Sequence, residues 1–402
     1  MKIIITGASG SVGRLLIPEI AKNGHELLLV GRNLKKLKFY FPKLKSTDYN
    51  KLPSIGQGFD LLIHLAISNN NSIISDEEFY DVNVKFLLDI VHISKEIGVK
   101  KFINFSSLHS LDNENQSTYA KSKRKGTKEL NNIKDLNIET WILPYVYGRM
   151  WHSKLAFLNK LPLPFARAIF LPLAAMKPTV HINKIVLAIE EITFDCCSND
   201  VILSDEQKNN WIYKTIVRSI DLIFSITVIF FLWWLFAIVW LVIRFESKGS
   251  SFFKQKRVGK NTQLFTCVKF RTMALGTEQV ATHEVNSASL TRVGLILRKT
   301  KIDELPQVWN VLKNEMSLVG PRPCLPSQDE LISERNKKNV LSIKPGITGL
   351  SQIQNIDMST PIKLAQKDSE YLALRSLLLD LKILLKTATG SGQGDKTNKN
   401  II

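Results

Sequence analysis

Cysteine is scarce in this sequence, with four residues in 402, and two of the four are adjacent, Cys196 and Cys197. No CxxC pair and no Cys/His cluster occurs, which argues against a disulfide framework and a structural zinc site and indicates a reducing compartment. Acidic residues are also few, 36 against 54 Lys and Arg, for a formal net charge of +18. Such an excess attracts polyanions, either nucleic acid or an anionic membrane surface and phosphate-bearing substrates.

Proline and charge are both missing from the longest apolar run, Leu222 to Ile243, whose only polar residues are Ser225 and Thr227. As one helix this run would be about 33 Å long, against about 30 Å of bilayer hydrocarbon. A buried core helix is the alternative, but the run is apolar on every face. The pattern therefore predicts a membrane-inserted helix, which favours a membrane over nucleic acid as the partner.

The length predicts two domains around this helix. The opening residues MKIIITGASG lack the apolar region and cleavage site of a signal peptide. Short apolar runs alternate with helical patterns up to about residue 190, which predicts an α/β domain with a Rossmann-type, doubly wound parallel sheet. The predicted organisation is an α/β domain at 1–194, a linker at 195–213, a membrane-inserted helix at 214–246, a compact helix-rich α+β domain at 247–389 and a disordered tail at 390–402.

The predicted elements of the first domain are five strands and two long helices. The strands are Ile3–Thr6, Glu26–Val30, Leu61–Leu65, Phe102–Ser106 and Thr140–Leu143, and the helices are Val12–Asn23 and Val82–Ile97.

A glycine motif follows the first predicted strand and opens the first predicted helix. Gly7 permits a tight turn, Gly10 lets the backbone approach a pyrophosphate, and Gly13 lets the helix pack closely on the strand. The N–H groups at the helix start, at Ser11 and Val12, then face the phosphates. The strand–turn–helix context predicts a dinucleotide site.

Arg32 follows the second predicted strand, where an acid would favour NAD. An Arg at this place pairs with a 2′-phosphate, so NADP is favoured over NAD, with a solvated loop residue as the alternative.

Tyr119 and Lys123 are four residues apart in a predicted helix and therefore share one face. A cation beside a phenol lowers its pKa, which suits acid–base work on a carbonyl or alcohol. Ser107, at the end of a predicted strand, could polarise the same oxygen.

These motifs together resemble the extended short-chain dehydrogenase/reductases that modify nucleotide sugars. The resemblance extends to His64 and Ala66 at a strand end and to Asn83 in a helix, and it covers about residues 1–190. It implies an NADP or NAD site formed by the glycine motif, His64, Ala66 and Asn83, with Ser107, Tyr119 and Lys123 as catalytic residues. The reaction on a UDP-sugar stays open among keto-reduction, epimerisation and dehydration, and a 4-ketoreductase is favoured. A domain that binds cofactor without turnover is the alternative.

Cations and acids alternate in the second half of the chain. Lys269 and Arg271 lie near a predicted strand end, Asp303 and Glu304 precede a helix start, and Arg322 follows a Gly-Pro pair. Transfer of a sugar phosphate needs cations around a diphosphate, Mg²⁺ held by carboxylates, and an oriented nucleophile. Alone, the acidic pair would be explained as favourable charge at a helix N-terminus.

The order of KFRTM, KIDELPQ, MSLVGPRP and KPGITGL resembles the bacterial sugar transferases, monotopic phosphoglycosyl transferases that act on polyprenyl (undecaprenyl) phosphate. The resemblance implies that Asp303 attacks the β-phosphorus of a UDP-sugar and releases UMP. It also implies that Glu304 assists proton removal or positions the groups, and that Mg²⁺ lies near Asp303. Lys269, Arg271 and Arg322 are the predicted phosphate contacts.

The flanks of the apolar run are basic on both sides, with Lys214 and Arg218 before it and Arg244 and Lys248 after it. By the positive-inside rule both ends are cytoplasmic, as NADP and nucleotide sugars require. We therefore expect a re-entrant helix in the bacterial inner membrane, with both catalytic domains facing the cytoplasm, over a spanning one. An inactive membrane scaffold, a cofactor-sensing regulatory first domain and a homodimer stay open.

Overall fold

The computed structural model describes residues 1–67, 75–112, 115–194, 200–274 and 290–390. The chain forms two compact units, the first comprising Met1–Phe170 with Pro178–Asp205 and the second Leu171–Lys177 with Glu206–Ile402. Cys196, Cys197 and residues 391–402 of the predicted tail lie outside the described residues.

A parallel sheet forms the centre of the first unit. The strands of the sheet are β1 (Lys2–Thr6), β2 (Glu26–Val30), β3 (Lys45–Thr47), β4 (Leu61–His64), β5 (Lys101–Ser107), β6 (Asn137–Leu143) and β9 (Val201–Ile202). Strands β7 (Tyr145–Tyr147) and β8 (Thr179–His181) form a separate short pair. The sheet order is β3-β2-β1-β4-β5-β6-β9, and every neighbouring pair is parallel. The order reverses beside β1, which is the doubly wound arrangement predicted from the sequence.

Helices cover both faces of this sheet. They are α1 (Ser11–Lys22), α2 (Leu34–Tyr40), α3 (Leu52–Ile55), α4 (Asp76–Tyr80), α5 (Phe86–Glu96), α6 (Thr118–Asn131), α7 (Leu163–Met176) and α8 (Ile182–Glu190). Along β1, Ile3 and Ile5 join the core beneath α1 and α8, whereas Ile4 joins the core beneath α5. Successive side chains of a strand point to opposite faces, so a run of apolar residues fills both cores.

Two predictions for this unit were incomplete. Residues 200–205 belong to the first unit, although they were predicted as linker, because Val201 and Ile202 pair with Trp141 and Ile142 of β6. The predicted helix Val82–Ile97 is interrupted by a π-helical turn at Asp81–Lys85 before α5 begins. Strands of two or three residues carry too little alternation to be recognised from sequence.

The second unit is helix-rich with two small sheets, as the sequence predicted. Its elements are α9 (Trp211–Glu246), β10 (Phe252–Val258), β11 (Leu264–Phe270), α10 (Arg292–Thr300), α11 (Val308–Leu312), β12 (Ser317–Val319), α12 (Asp329–Lys337), β13 (Gly346–Thr348), α13 (Leu350–Ile353), α14 (Pro361–Leu374) and α15 (Leu377–Ala388). Strands β10 and β11 pair antiparallel, and β12 and β13 pair parallel.

Gly320, just after β12, touches Gly346 at the start of β13 and Gly349 just after it. A Cβ on Gly346 would lie 2.1 Å from the nitrogen of Gly320, and one on Gly349 would lie 2.2 Å from the oxygen of Gly320. Because these distances leave no room for a side chain, the motifs GPRP and KPGITG are held against each other backbone to backbone.

Helix α9 is continuous over its 36 residues, all of them described, and is about 54 Å long. By length and composition it could cross a membrane, and only 17% of its most apolar segment is buried in the protein. A single stripe of the helix is buried in the second unit, at Asp221, Ser225, Val228, Val239 and Ile243. The bend that a re-entrant helix requires is not present within these residues.

Polar contacts hold the first part of α9 on the second unit. Asp221 accepts hydrogen bonds from the Ser317 hydroxyl (2.9 Å) and the Leu318 N–H (2.9 Å). Arg218 donates to the carbonyls of Val311 (2.7 Å) and Leu312 (3.0 Å). The helix is therefore bonded to the elements that carry the transferase motifs.

We expect Asp221→Ala to lower the free energy of unfolding by about 1–3 kcal/mol, because two buried donors would lose their acceptor. The measurement is denaturant unfolding of the detergent-solubilised protein. Ser219→Ala, at an exposed position two residues away, is the control and should change stability by less than about 0.5 kcal/mol. Equal effects of the two substitutions would contradict the assignment.

Candidate active sites

The glycine motif forms a tight turn between β1 and α1. Gly7 has φ +66°, and a Cβ there would lie 2.5 Å from the nitrogen of Ala66. A Cβ on Gly13 would lie 2.3 Å from the oxygen of Ala8, so the helix sits directly on the loop. A Cβ on Gly10 would lie near only the Gly7 oxygen, at 3.2 Å, so the outer side of Gly10 is open.

The start of α1 suits an anion. Gly10 is the N-cap of this helix, and no side chain in the described part of the chain caps it. The N–H groups of the first turn, at Ser11 and Val12, are therefore available to a pyrophosphate, and the helix dipole favours negative charge there. The residues present fit a nicotinamide dinucleotide.

Arg32 lies just beyond β2 and is exposed. The next residue, Asn33, is the N-cap of α2, and its side chain accepts a hydrogen bond from the Lys36 N–H. Tyr49, which follows β3, lies close to both Gly7 and Arg32, and burial raises the pKa of its phenol. The sequence prediction had missed Tyr49 because β3 is only three residues long. Arg32 and Tyr49 thus flank the end of the glycine loop.

Ser107 and Tyr119 meet at the carboxyl edge of the sheet. The Tyr119 hydroxyl donates to the Ser107 Oγ at 3.0 Å. Burial raises the pKa of Tyr119, and the hydrogen bond that its hydroxyl makes with Ser107 offsets this only in part. The expectation that Lys123 would lower this pKa is therefore wrong in this structure, because desolvation dominates. Burial also lowers the pKa of Lys123 to about 7.

His64 and Asn83 are buried behind this pair. His64 Nδ1 lies 2.9 Å from the Thr6 hydroxyl, and burial, together with the charge of Lys123, lowers its pKa to about 3, so it is neutral at pH 7. Asn83 donates to the Ser122 hydroxyl at 3.0 Å. These contacts align the strand ends and α6, and a direct role in holding cofactor stays a prediction for both residues.

Asp303 and Glu304 lie in a short 3₁₀ helix, Ile302–Gln307, that follows Lys301 in a left-handed conformation (φ +58°). Lys269, from β11, contacts the Glu304 carboxylate at 2.6 Å, and Arg322 approaches the same oxygen at 3.6 Å. Three separated motifs thus converge on one carboxylate.

The two acids differ in their electrostatic surroundings. Burial and the neighbouring Glu304 charge raise the pKa of Asp303 to about 6. Burial alone would also raise the pKa of Glu304, but the charges of Lys269 and Arg322 outweigh it and lower that pKa to about 2. At pH 7 Glu304 is therefore ionised and fixed between cations, whereas Asp303 is ionised but close to its protonated form.

Arg271 differs from the other two predicted phosphate contacts. Its guanidinium donates to the carbonyls of Lys248 (2.9 Å) and Ser247 (3.1 Å), at the end of α9. In contrast, a small cavity is lined by Lys269, Glu304 and Arg322 together with Arg257 and Gln307. Neither residue was a candidate in the sequence, although Gln307 belongs to the motif KIDELPQ. Their place in the cavity depends on tertiary contacts.

Within the described residues no group of three or more His, Cys, Asp or Glu side chains is placed to hold a metal ion. Mg²⁺ is usually bound by one or two carboxylates together with substrate phosphates. Asp303, a carboxylate beside a cationic cavity, fits that pattern and not a site built from protein ligands alone.

We expect Gly13→Ala to weaken binding of NADPH or NADH by about tenfold or more, because the new methyl would displace the Ala8 carbonyl and with it the phosphate loop. The measurement is a fluorescence titration of the full-length protein with each dinucleotide. Lys22→Ala, at the exposed end of the same helix, should leave the affinity unchanged. Unaltered affinity in Gly13→Ala would exclude this loop as the site.

Comparisons with known proteins agree with the second unit's motifs. Residues 212–393 match the bacterial sugar transferase family. The exopolysaccharide production protein ExoY of Sinorhizobium fredii is 37% identical over 188 residues, which cover 42% of this chain and 82% of that protein. The undecaprenyl-phosphate galactose phosphotransferase of Salmonella typhimurium is 35% identical over 194 residues, 42% of this chain and 39% of that one. An uncharacterized sugar transferase of Haemophilus influenzae is 39% identical over 179 residues, and the chain spans 36% of its length.

The first unit matches a different family. Residues 3–155 match the NAD dependent epimerase/dehydratase family. Among solved structures, the Bordetella bronchiseptica enzyme WbmG in complex with NAD is 18% identical with a TM-score of 0.41, covering 51% of this chain and 72% of that one. The chain therefore belongs to the bacterial sugar transferase family through its second unit and carries an NAD dependent epimerase/dehydratase domain in its first.

Proposed function

We propose that the second unit transfers a sugar 1-phosphate from a UDP-sugar to polyprenyl phosphate. The observation that carries this proposal is the cluster in which Lys269 and Arg322 contact Glu304, one residue after Asp303. The charges of both cations also act on the Asp303 carboxyl, which is the proposed nucleophile. The related Salmonella typhimurium protein, an undecaprenyl-phosphate galactose phosphotransferase, supports the acceptor class.

In the proposed first step an Asp303 oxygen attacks the β-phosphorus of the donor. The bond from that phosphorus to the bridging oxygen breaks, UMP leaves with the electron pair, and the sugar phosphate stays on Asp303 as an acyl phosphate. An oxygen of the lipid phosphate then attacks the same phosphorus and frees the carboxylate. Such a two-step route replaces one difficult displacement by two easier ones.

The remaining groups have distinct parts in this scheme. Lys269 and Arg322 would neutralise charge that builds on the diphosphate, where preorganised cations contribute most. The low pKa of Glu304 suits a positioning group that orients these cations better than a group that takes up a proton. Mg²⁺, when bound by Asp303 and the diphosphate, would supply further charge neutralisation.

Asp303→Asn should abolish UMP release from a UDP-sugar in the presence of Mg²⁺ and polyprenyl phosphate, because an amide does not form the acyl phosphate. We expect a loss of about 10³-fold or more, measured by UMP assay and by trapping of radiolabelled sugar on the protein.

Asp329→Asn, at an exposed acid of the same unit, is the matched control and should retain full activity. Glu304→Gln should keep a fraction of the labelled intermediate, since its role is positioning. If Asp303→Asn released UMP at the normal rate, the nucleophile would have to be another residue.

We further propose that the first unit is a nicotinamide-dependent UDP-sugar 4-ketoreductase or epimerase that supplies the donor. The Tyr119–Ser107 hydrogen bond supports it, because the two hydroxyls can address one sugar oxygen. The raised pKa of Tyr119 keeps the phenol protonated, which suits donation to a carbonyl oxygen during reduction. The bound nicotinamide supplies the redox chemistry, and the exposed Arg32 favours NADP through its 2′-phosphate.

Tyr119→Phe should stop NADPH oxidation by a 4-keto UDP-sugar while leaving UMP release from a finished donor unchanged, because only the proton donor is lost. Both rates are measured on one preparation. Tyr80→Phe, a phenol in the same unit that stacks on Lys125, is the control and should spare both. Unchanged NADPH oxidation in Tyr119→Phe would favour the alternative of a regulatory cofactor-binding domain.

For the membrane, we propose that α9 lies as an uninterrupted helix along the cytoplasmic face, with its exposed apolar side in the lipid and both of its ends on that face. Near its start Asp221 and near its end Val239 and Ile243 pack on the same catalytic unit, the latter against Phe270 and Leu297. A helix that crossed the bilayer would separate these contacts by about 30 Å of hydrocarbon. The opposite side of α9 exposes large apolar residues, including Phe224, Phe231, Trp234 and Ile238.

A further inference from the structure

A buried ion pair in the second unit lies behind the loop that carries Arg322. The side chains of Arg335, in α12, and Asp368, in α14, are only 1% and 2% exposed. The guanidinium donates twice to one Asp368 oxygen, from Nε at 3.0 Å and from Nη2 at 2.7 Å. The other Asp368 oxygen accepts a hydrogen bond from the Ser351 hydroxyl at 3.0 Å. Because burying two charges costs as much as their attraction returns, the pair calls for a role other than stability.

The third bond of the same guanidinium reaches the backbone of the active-site loop. Arg335 Nη1 donates to the carbonyl of Arg322 at 2.9 Å. The Arg322 side chain in turn approaches Glu304 at 3.6 Å and lines the small cavity together with Lys269. Since the guanidinium is planar, the two bonds to Asp368 also fix the position of Nη1. One rigid group therefore joins Asp368 to the backbone of a predicted phosphate contact.

The backbone carbonyls on either side of Arg322 are bound as well, each by a different segment of the second unit. The bonds run from the Gly346 N–H to Pro321 (2.9 Å), from Arg257 Nη1 to Pro323 (3.0 Å) and from the Val258 N–H to Cys324 (2.9 Å). Four successive carbonyls thus have a donor, and the two prolines restrict φ within the loop. The backbone from which the Arg322 side chain extends is consequently held in one place.

We propose that Arg335 and Asp368 are positioning residues of the transferase site, which hold the backbone at Arg322 so that its guanidinium meets the diphosphate of the donor. This inference rests on the proposed transferase function and deepens it. Neither residue is proposed to touch the substrate. A displacement of about 1 Å at a substrate contact can lower a rate about a hundredfold, so a buried pair that fixes a loop acts on activity through geometry.

A double-mutant cycle on the full-length protein tests this. UMP release from a UDP-sugar, with Mg²⁺ and polyprenyl phosphate, and the affinity for UDP are measured for Asp368→Asn, for Arg322→Ala and for the two combined. We expect Asp368→Asn to lower kcat/KM and the UDP affinity by about tenfold or more when Arg322 is present. In the Arg322→Ala background the same substitution should lower them by less than about twofold, because the side chain that it positions is gone.

Asp380→Asn is the matched control. Asp380 is a buried acid of α15 that accepts hydrogen bonds from the hydroxyls of Tyr213 (2.7 Å) and Tyr371 (2.8 Å). Any loss that this substitution causes through general loosening of the unit should be the same with and without Arg322, because the two sites then act independently.

A second variant separates positioning from stability. Asp368→Asn leaves the charge of Arg335 buried and unpaired, whereas Arg335→Met combined with Asp368→Leu removes both charges and should fold with a nearly unchanged Tm. This variant should still lose about tenfold or more in kcat/KM, because the Arg322 carbonyl has lost its donor.

Full activity in the folded Arg335→Met, Asp368→Leu variant would overturn the proposal. Equal losses from Asp368→Asn with and without Arg322 would overturn it too, and so would loss of the fold in both variants, which would assign the pair a structural role. In each of these cases the transferase function stands. If the unaltered protein neither bound UDP nor released UMP, the proposed function would fail, and the positioning role with it.

Discussion

The ion cluster around Glu304 is the interaction on which the architecture of the transferase site depends. One carboxylate receives Lys269 from β11 and Arg322 from the loop after β12, while Glu304 itself comes from a short helix between them. A buried acid is costly unless cations compensate it, so these three segments are stable only together. The charges of Lys269 and Arg322 lower the pKa of Glu304, whereas burial and the Glu304 charge raise the pKa of Asp303, one residue earlier. Adjacent acids thus acquire different properties from their surroundings.

Helix α9 connects this site to the proposed membrane contact. Its buried stripe and the contacts of Arg218 and Asp221 make it part of the catalytic unit, and its other sides remain apolar and exposed. The absence of proline in the run is consistent with the uninterrupted helix, because nothing in its backbone forces a bend. A helix supported along one side by a polar domain suits insertion from a single face better than passage through the bilayer.

In the first unit, sequence reasoning located the main strands and the glycine turn because both follow from strong local rules. Parallel strands are buried on both faces, so their sequences are continuous apolar runs. Gly7 and Gly13 occupy positions where a Cβ would clash with backbone atoms. Strand β9 and the π-helical turn before α5 escaped prediction, since pairing with β6 and a local change of helix type leave little trace in sequence. Tyr49 was missed for the same reason, because it follows a strand of only three residues.

The sequence by itself determined the two-unit organisation, the apolar helix and the identity of Asp303, Glu304, Ser107, Tyr119 and Lys123 as candidates, because periodicity and motif order are properties of the chain. Only the tertiary structure decided what surrounds each of them. In the folded chain Arg271 donates to the carbonyls at the end of α9, and Arg257 and Gln307 line the cavity. Burial in the fold raises the pKa of Tyr119. Desolvation and long-range contacts set these properties, and both depend on residues far apart in the chain.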